Sequence, residues 1–144
     1  MFARILVPTD GSELSEKAAR GAVEMGQRIG ARIVGMTVVE PYSYTTLSEF
    51  RPEPAADYEQ RVDVMARERF KALESAAKAA NVEMETVVVR SFSPYEAIID
   101  TARRRQCDAI FMASHGRRGL SAVLLGSETQ KVLTHTEIPV MVYR

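Results

Sequence analysis

Short apolar runs alternate with amphipathic segments along the chain. Five of the runs are rich in β-branched residues and nearly continuous rather than strictly alternating, a pattern typical of strands buried on both faces of a parallel sheet. Between these runs, apolar residues recur three and four positions apart, which predicts helices. The predicted strands are Ala3–Val7, Arg32–Val39, Glu85–Val89, Ala109–Met112 and Pro139–Tyr143.

Residues suited to helix caps mark the ends of the predicted helices. Ser12 is a suitable N-cap for the first helix, and Gly30 is a suitable residue to end it. The other three helices are predicted over Asp57–Ala80, from Ser93-Pro94 onward, and from near Ser127 to a point before Pro139.

Strands and helices therefore alternate throughout the chain. This order predicts an α/β fold in which a doubly wound, five-stranded parallel sheet carries helices on both faces, as in Rossmann-like nucleotide-binding proteins. We expect one domain over residues 1–144. The exception to the alternation is the stretch 40–56, EPYSYTTLSEFRPEPAA, which has three prolines and little periodicity. A loop of this length predicts a functional or mobile segment, and Tyr42, Tyr44 and Phe50 are candidates to cover a ligand or to contact a partner subunit.

The charge balance and the cysteine count exclude several classes of protein. The 19 Lys and Arg residues equal the 19 Asp and Glu residues, so a nucleic-acid-coating surface and a polybasic membrane surface are not expected. The single cysteine, Cys107, permits neither a disulfide within the chain nor a multi-cysteine metal site. No apolar stretch approaches the roughly 20 residues that span a bilayer. We therefore expect a cytoplasmic protein with no membrane partner.

Candidate ligand-binding residues follow the first and fourth predicted strands. In doubly wound sheets, ligands bind beyond the carboxyl ends of the strands. The fourth strand leads into glycines that permit close backbone approach, two arginines that suit anions, and a helix start that favours phosphate. On spacing alone, an ordinary glycine-rich connector is as good an interpretation. The residues concerned are Pro8–Ser12 after the first strand and Gly116, Arg117, Arg118, Gly119 and Gly126-Ser127 after the fourth.

Two stretches of sequence resemble the universal stress protein family. The first strand followed by PTDGS is similar to that family's start, and MASHGRRGLSAVLLGSETQKVLTHTEIPVMVYR resembles its C-terminal signature. ATP-binding members carry G-x2-G-x9-G-[ST] in this signature. The same frame here is Ala113, two residues, Gly116, nine residues, then Gly126-Ser127, with alanine at the first glycine position.

The resemblance implies an adenine nucleotide site, with ATP as the ligand and AMP or ADP as the alternatives. In it, the first-strand residues line the pocket with Asp10 near the ribose, the backbone of Val38 meets the adenine edge, and Met112 lies beneath the nucleotide. A Mg²⁺ ion is held, if at all, mainly through the phosphates. The implied ligand-binding residues are Pro8, Thr9, Asp10, Val38, Met112, Gly116, Arg117, Gly119, Gly126, Ser127 and Glu128.

The expected function is an ATP-binding regulatory module in the stress response. There are two alternatives. One is a dimeric stress scaffold that binds no nucleotide, as the alanine at position 113 would indicate. The other is a slow ATPase or phosphotransferase. Catalysis is the weaker of these, because neither a Walker lysine nor a Ser-His-Asp arrangement is evident in the sequence. The last strand, 139–143, is expected at a sheet edge, and pairing of two such edges predicts a homodimer.

Overall fold

The computed structural model describes residues 1–42, 53–117 and 125–144. Within these ranges every predicted strand and helix is present, and the two kinds of element alternate as expected. The elements are β1 (Arg4–Pro8), α1 (Glu13–Ile29), β2 (Arg32–Val39), α2 (Ala55–Ala80), β3 (Met84–Arg90), α3 (Pro94–Arg104), β4 (Ala109–Ala113), α4 (Ser127–His135) and β5 (Val140–Tyr143).

All five strands are parallel and lie in the order β3-β2-β1-β4-β5. The order reverses between β1 and β4, because the chain returns past β1 after building the β1-β2-β3 half. The β1–β4 ladder includes only Ile5 with Ala109 and Leu6 with Ile110, although both strands continue beyond it. The carboxyl ends of β1 and β4 therefore border a crevice, which is where ligands bind in folds of this class.

Helices cover both faces of the sheet, which confirms the doubly wound architecture. On one face, Ala18 and Ala22 of α1 and Leu73 of α2 share a buried cluster with β1, β2 and β4. On the other, Ile98 of α3 and Val132 of α4 pack with the opposite side chains of the same strands. Small alanines on α1 allow this helix to lie close to the sheet.

The two edge strands are less buried than a uniform double-sided pattern predicts. Side chains of β1 and β4 are almost entirely buried, whereas those of β3 and β5 are mostly half-buried or exposed. The sequence does not distinguish them because β3 is as rich in valine as the central strands. The position of β5 at a sheet edge is confirmed.

Most helix ends lie where the capping residues predict. The Ser12 side chain accepts a hydrogen bond from the Ser15 N–H, and Gly30 ends α1 with a φ of 73°, in the left-handed region that favours glycine. The second helix begins two residues earlier than predicted, at Ala55, whereas α4 begins at Ser127 as predicted, with Gly126 as its N-cap residue. Ser93 precedes α3 as predicted, but its side chain makes no capping hydrogen bond.

Candidate functional site

A cavity of about 940 Å³ lies at the carboxyl ends of the strands. It brings together ten of the eleven residues that the sequence implicates, although they come from four separate parts of the chain. The eleventh, Gly119, lies outside the described residues, as do Arg118, Tyr44 and Phe50. The ten residues lining the cavity are Pro8, Thr9, Asp10, Val38, Met112, Gly116, Arg117, Gly126, Ser127 and Glu128.

Asp10 ties the loop after β1 to the loop after β4. One carboxylate oxygen accepts a hydrogen bond from the Ser12 N–H at 2.9 Å, and the other accepts one from the Arg117 N–H at 2.8 Å. Burial by itself would raise the pKa of the Asp10 carboxyl, but the hydrogen bonds from Ser12 and Arg117 outweigh it and hold that pKa below its ordinary value. Asp10 is therefore a charged anchor that also helps to shape the start of α1.

Gly116 makes this anchor possible. A Cβ atom on Gly116 would overlap the Asp10 carboxylate oxygen that bonds to Arg117. The glycine is needed for close approach rather than for backbone conformation, because the described glycines with positive φ are Gly11 and Gly30. Gly116 therefore permits a close contact with Asp10, a residue more than one hundred positions earlier in the sequence.

Gly126 closes the loop on its other side. Its N–H donates to the Ser114 carbonyl at 2.6 Å, and a Cβ on Gly126 would lie only 3.1 Å from the His115 Cα. The Thr129 hydroxyl donates to the Ala113 carbonyl, which joins α4 to the end of β4. These contacts place the first turn of α4, with its unpaired backbone N–H groups, against the cavity.

Ala113 occupies the position of the family's first glycine, and its side chain is buried in the core. It belongs to the cluster that packs β4 against α1, together with Phe111 and Ala22. The methyl group therefore has a packing role. The departure from the glycine frame at this position is accommodated within the core.

Glu128 has a structural role that the sequence does not reveal. One oxygen of its carboxylate accepts a hydrogen bond from the Tyr95 N–H in the first turn of α3, and the other lies 3.2 Å from the Lys131 ammonium group. A side chain from α4 thus satisfies a backbone donor at the start of α3, where Ser93 does not. Glu128 thereby fixes the two helix N-termini on the same side of the cavity.

Arg69, on α2, is a cavity residue that sequence analysis missed. Its Nη1 atom donates to the Thr37 hydroxyl and to the Val38 carbonyl, both at 3.0 Å. Burial, together with the nearby charge of Arg117, lowers the pKa of Arg69, and Asp10 opposes this only in part. An arginine within an amphipathic helix normally indicates a solvated face, so no local signal distinguishes Arg69 from its exposed neighbour Arg67.

The other end of the cavity is built from residues on either side of residues 43–52. Tyr42 lies against Tyr58 with ring centroids 5.3 Å apart, and its hydroxyl donates to the Glu53 carbonyl at 2.7 Å. Arg61 makes two 3.0 Å hydrogen bonds to the Glu53 carboxylate. The Tyr58 hydroxyl also donates to the Glu40 carbonyl. Tyr42 and Glu53, which lie on either side of residues 43–52, therefore both contact side chains of α2.

The two remaining candidates, His115 and Cys107, make contacts typical of residues with a structural role. His115 lines the cavity, and its Nδ1 lies 3.3 Å from the Ser114 hydroxyl oxygen, as expected for a loop histidine packed on its neighbours. Cys107 is buried, and burial raises the pKa of its thiol to about 11, which suits a core residue rather than a nucleophile.

Neither a metal-ligand cluster nor a helix suited to span a membrane occurs in the part of the chain that the structure describes. Residues 1–42, 53–117 and 125–144 contain no group of three or more His, Cys, Asp or Glu side chains placed to hold a metal ion. Among the same residues, no helix has the length and apolar character that crossing a bilayer requires.

Comparison with known proteins supports this architecture. The chain is 32% identical to the universal stress protein YxiE of Bacillus subtilis over 151 residues, an alignment that covers all of both proteins. The solved structure of MJ0577, from Methanocaldococcus jannaschii, shares the fold with a TM-score of 0.81, 24% identity and coverage of 99% of this chain and 96% of that one.

A second solved structure with this fold contains a nucleotide. It is a universal stress protein from Archaeoglobus fulgidus in complex with dAMP, with a TM-score of 0.71, 19% identity and coverage of 99% of this chain and 98% of that one. The sequence profile of the Universal stress protein family matches residues 1–144. The chain therefore belongs to the universal stress protein family.

Proposed function

We propose that this protein is a regulatory module that binds an adenine nucleotide, ATP or its ADP and AMP forms, in the cavity at the ends of β1 and β4. The observation that carries the proposal is the link from Asp10 to the Arg117 N–H, which joins the two loops at the reversal of strand order. The dAMP complex of the Archaeoglobus fulgidus relative supports the choice of an adenine ligand.

The two ends of the cavity suit the two ends of a nucleotide. In the proposed arrangement, the backbone of Val38 meets the base, Asp10 lies near the ribose and Met112 lies beneath the nucleotide. Gly116 and Arg117 approach the phosphates. The N–H groups of Ser127 and Glu128 donate to phosphate oxygens, because the start of a helix supplies both unpaired donors and a favourable dipole. The Gly126 N–H, which the sequence also suggested for this role, is already bonded to the Ser114 carbonyl.

The size and chemistry of the cavity fit such a ligand. Its volume of about 940 Å³ lies near the upper end of the range of roughly 300–1,000 Å³ that small-molecule sites occupy. Arg117 supplies a guanidinium group, which binds phosphate with paired hydrogen bonds. A Mg²⁺ ion would be held through the phosphates, since Mg²⁺ commonly takes few protein ligands and retains several waters.

A regulatory role fits the geometry better than a catalytic one. Asp10 is the candidate general base that the sequence offers, and both of its oxygens already accept backbone hydrogen bonds. Its lowered pKa makes it a weak base. Tyr42 and Glu53 line the cavity on either side of residues 43–52, so a bound ligand would contact both ends of that segment.

The direct test is equilibrium binding of ATP, AMP and adenosine to the purified protein by calorimetry. We expect saturable ATP binding below roughly millimolar concentration, a weak-affinity limit. Arg117→Gln should weaken ATP binding about tenfold and leave adenosine binding nearly unchanged, because a charge-assisted bond to phosphate is lost. Arg104→Gln, an exposed arginine at the end of α3, is the matched control and should behave like the parent.

Two results would contradict the proposal in different ways. An absence of saturable binding of all three ligands at millimolar concentration removes the nucleotide function and favours a scaffold. Equal ATP affinities for Arg117→Gln and Arg104→Gln would leave the function standing but remove Arg117 from the phosphate site.

We also propose that two copies of the chain pair through the β5 edge, residues 139–143. β5 is the last strand in the sheet order, so its outer edge has backbone groups without a strand partner in the sheet. Met141, in the middle of this strand, has 45% of its surface exposed. A dimer at this edge would bury the Met141 side chain and give the backbone groups of the edge hydrogen-bond partners.

Met141→Lys should shift the protein from dimer to monomer, because a charge on an edge strand opposes edge-to-edge pairing. Light scattering coupled to size exclusion measures the mass directly. Val64→Lys, which changes an even more exposed apolar residue on α2, should leave the dimer intact. A monomeric parent protein, or a dimeric Met141→Lys variant, would contradict this interface.

A further inference from the structure

Arg69 holds a backbone group that the proposed ligand would use. Its guanidinium reaches from α2 to the end of β2, where Nη1 donates to the Thr37 hydroxyl and to the Val38 carbonyl. Both described hydrogen bonds of this side chain use the same nitrogen. Arg69 also lines the cavity, and its Cγ would lie 3.1 Å from a Cβ atom placed on Gly11. The side chain therefore fills the corner between α2, β2 and the loop after β1.

The Val38 carbonyl is available because β2 continues past the end of β1. The last register pair of the two strands is Pro8 with Met36, and the Thr9 N–H donates to the Met36 carbonyl at 2.8 Å. Backbone groups alternate along a strand, so the Val38 carbonyl points to the same side as that of Met36. No β1 residue remains to pair with it, and it faces the crevice. A carbonyl oxygen has two lone pairs, so the bond from Arg69 leaves one for a ligand.

The Nε atom of Arg69 is a donor that lacks an acceptor. It is buried and has no hydrogen-bond partner among the described residues. Leaving a buried donor unpaired is unfavourable, and an arginine nitrogen can only donate. A ligand that pairs with Nε must therefore supply an acceptor atom, whereas a ligand group that pairs with the Val38 carbonyl must be a donor. Arg69 lines the cavity and its Nη1 bonds to the Val38 carbonyl, so this donor and this acceptor belong to the same corner of the cavity.

We propose that Arg69 reads the base of the nucleotide, donating from Nε to a ring nitrogen while the Val38 carbonyl accepts from the neighbouring exocyclic amino group. The inference rests on the proposed adenine-nucleotide function and adds a recognition residue to it. Adenine offers this combination, because its 6-amino donor stands beside the N7 acceptor on one edge and the N1 acceptor on the other. In this arrangement the Val38 carbonyl accepts from the amino group of the base, and Arg69 supplies the donor for the ring nitrogen beside it.

The test compares AMP with 7-deaza-AMP and 1-deaza-AMP, each of which replaces one ring nitrogen by a C–H group. Binding is measured by calorimetry for the full-length parent, for Arg69→Lys and for Arg69→Gln. We expect the parent to bind one of the two analogues about tenfold more weakly than AMP, since a bond from a charged donor is lost. Arg69→Lys retains the positive charge but has no Nε donor, and the penalty should fall to within about twofold. Arg67→Lys, at an exposed position two residues away, should retain the full penalty.

The outcomes separate this inference from the proposed function. If the parent binds AMP but neither deaza analogue is penalised, or if both Arg69 variants retain the full penalty of the parent, Arg69 does not read the base and the nucleotide function still stands. If the parent binds no AMP, the proposed function fails and this inference fails with it. The comparison of analogues in the parent needs no variant, so equal binding of all three ligands overturns the inference even if an Arg69 substitution prevents folding.

Discussion

Gly116→Ala is expected to weaken nucleotide binding strongly and to destabilise the fold. The added methyl would overlap the carboxylate oxygen of Asp10 that accepts from the Arg117 N–H. Asp10 has little freedom to retreat, because its other oxygen is held by the Ser12 N–H. Losing a hydrogen bond to a charged group costs about 1.5–3 kcal/mol. We expect a loss of ATP affinity of about a hundredfold and a thermal midpoint several degrees lower.

Calorimetry and thermal unfolding measure the two effects, and faster hydrogen exchange at the Arg117 amide reports the broken bond. Gly30→Ala is the control glycine, because nothing lies within 4 Å of its added Cβ and only the positive φ is strained. It should lose stability without changing affinity. In an Asp10→Ala background, Gly116→Ala should cost little further stability, since the overlapping atom is gone. Parent-like ATP affinity in Gly116→Ala would contradict the proposed role of this glycine.

Leu73→Ala is expected to produce the largest loss of stability. Leu73 is 0% exposed and packs between α2 and the sheet, in the cluster formed with α1. Removing such a side chain typically costs about 2–5 kcal/mol, because a cavity remains. A domain is commonly stable by only about 5–15 kcal/mol, so this is a large share of the total. Urea unfolding measures the change, and Val64→Ala, at a position with 55% exposure, should change stability by no more than about 0.5 kcal/mol.

Gly35 is the partner that makes this packing possible. A Cβ atom on Gly35 would lie 2.6 Å from the Leu73 Cδ2 atom, so Gly35→Ala should cost about 1–3 kcal/mol through overpacking. The double variant should lose less than the sum of the two single losses, because the new methyl partly fills the space that Leu73 leaves. Strictly additive losses would show that the two positions do not share this contact.

Local patterns in the sequence predicted the elements well, because they report local physics. The periodicity of apolar residues distinguishes strands from helices, and Ser12 and Gly30 mark helix ends through contacts with residues a few positions away. Helix α2 begins two residues early because Pro54 can occupy the N-cap position, where it needs no N–H group. The half-exposure of β3 could not be predicted, since strand order depends on the path of the whole chain.

The candidate site was predictable where glycines and helix starts indicated it. The spacing of Gly116 and Gly126-Ser127 located the loop after β4, and the position of Asp10 after β1 located the other side of the cavity. Arg69 was not predictable, because its partners, Thr37 and Val38, lie more than thirty residues away and nothing in its neighbourhood marks them. The sequence implicated Glu128 in the site, but not its capping role, because the Tyr95 N–H that its carboxylate accepts from lies thirty-three residues earlier.

The sequence by itself therefore determined the alternation of strands and helices, the parallel sheet and the stretches that reach its carboxyl edge. These depend on periodicity and on caps, which act over a few residues. Only the tertiary structure decided that the Asp10 carboxylate meets the Arg117 backbone, that the Ala113 methyl lies in the core and that Arg69 faces the Val38 carbonyl. Those contacts join residues far apart in the chain, and hydrogen bonding and close packing between them depend on distances that arise only when the sheet has assembled.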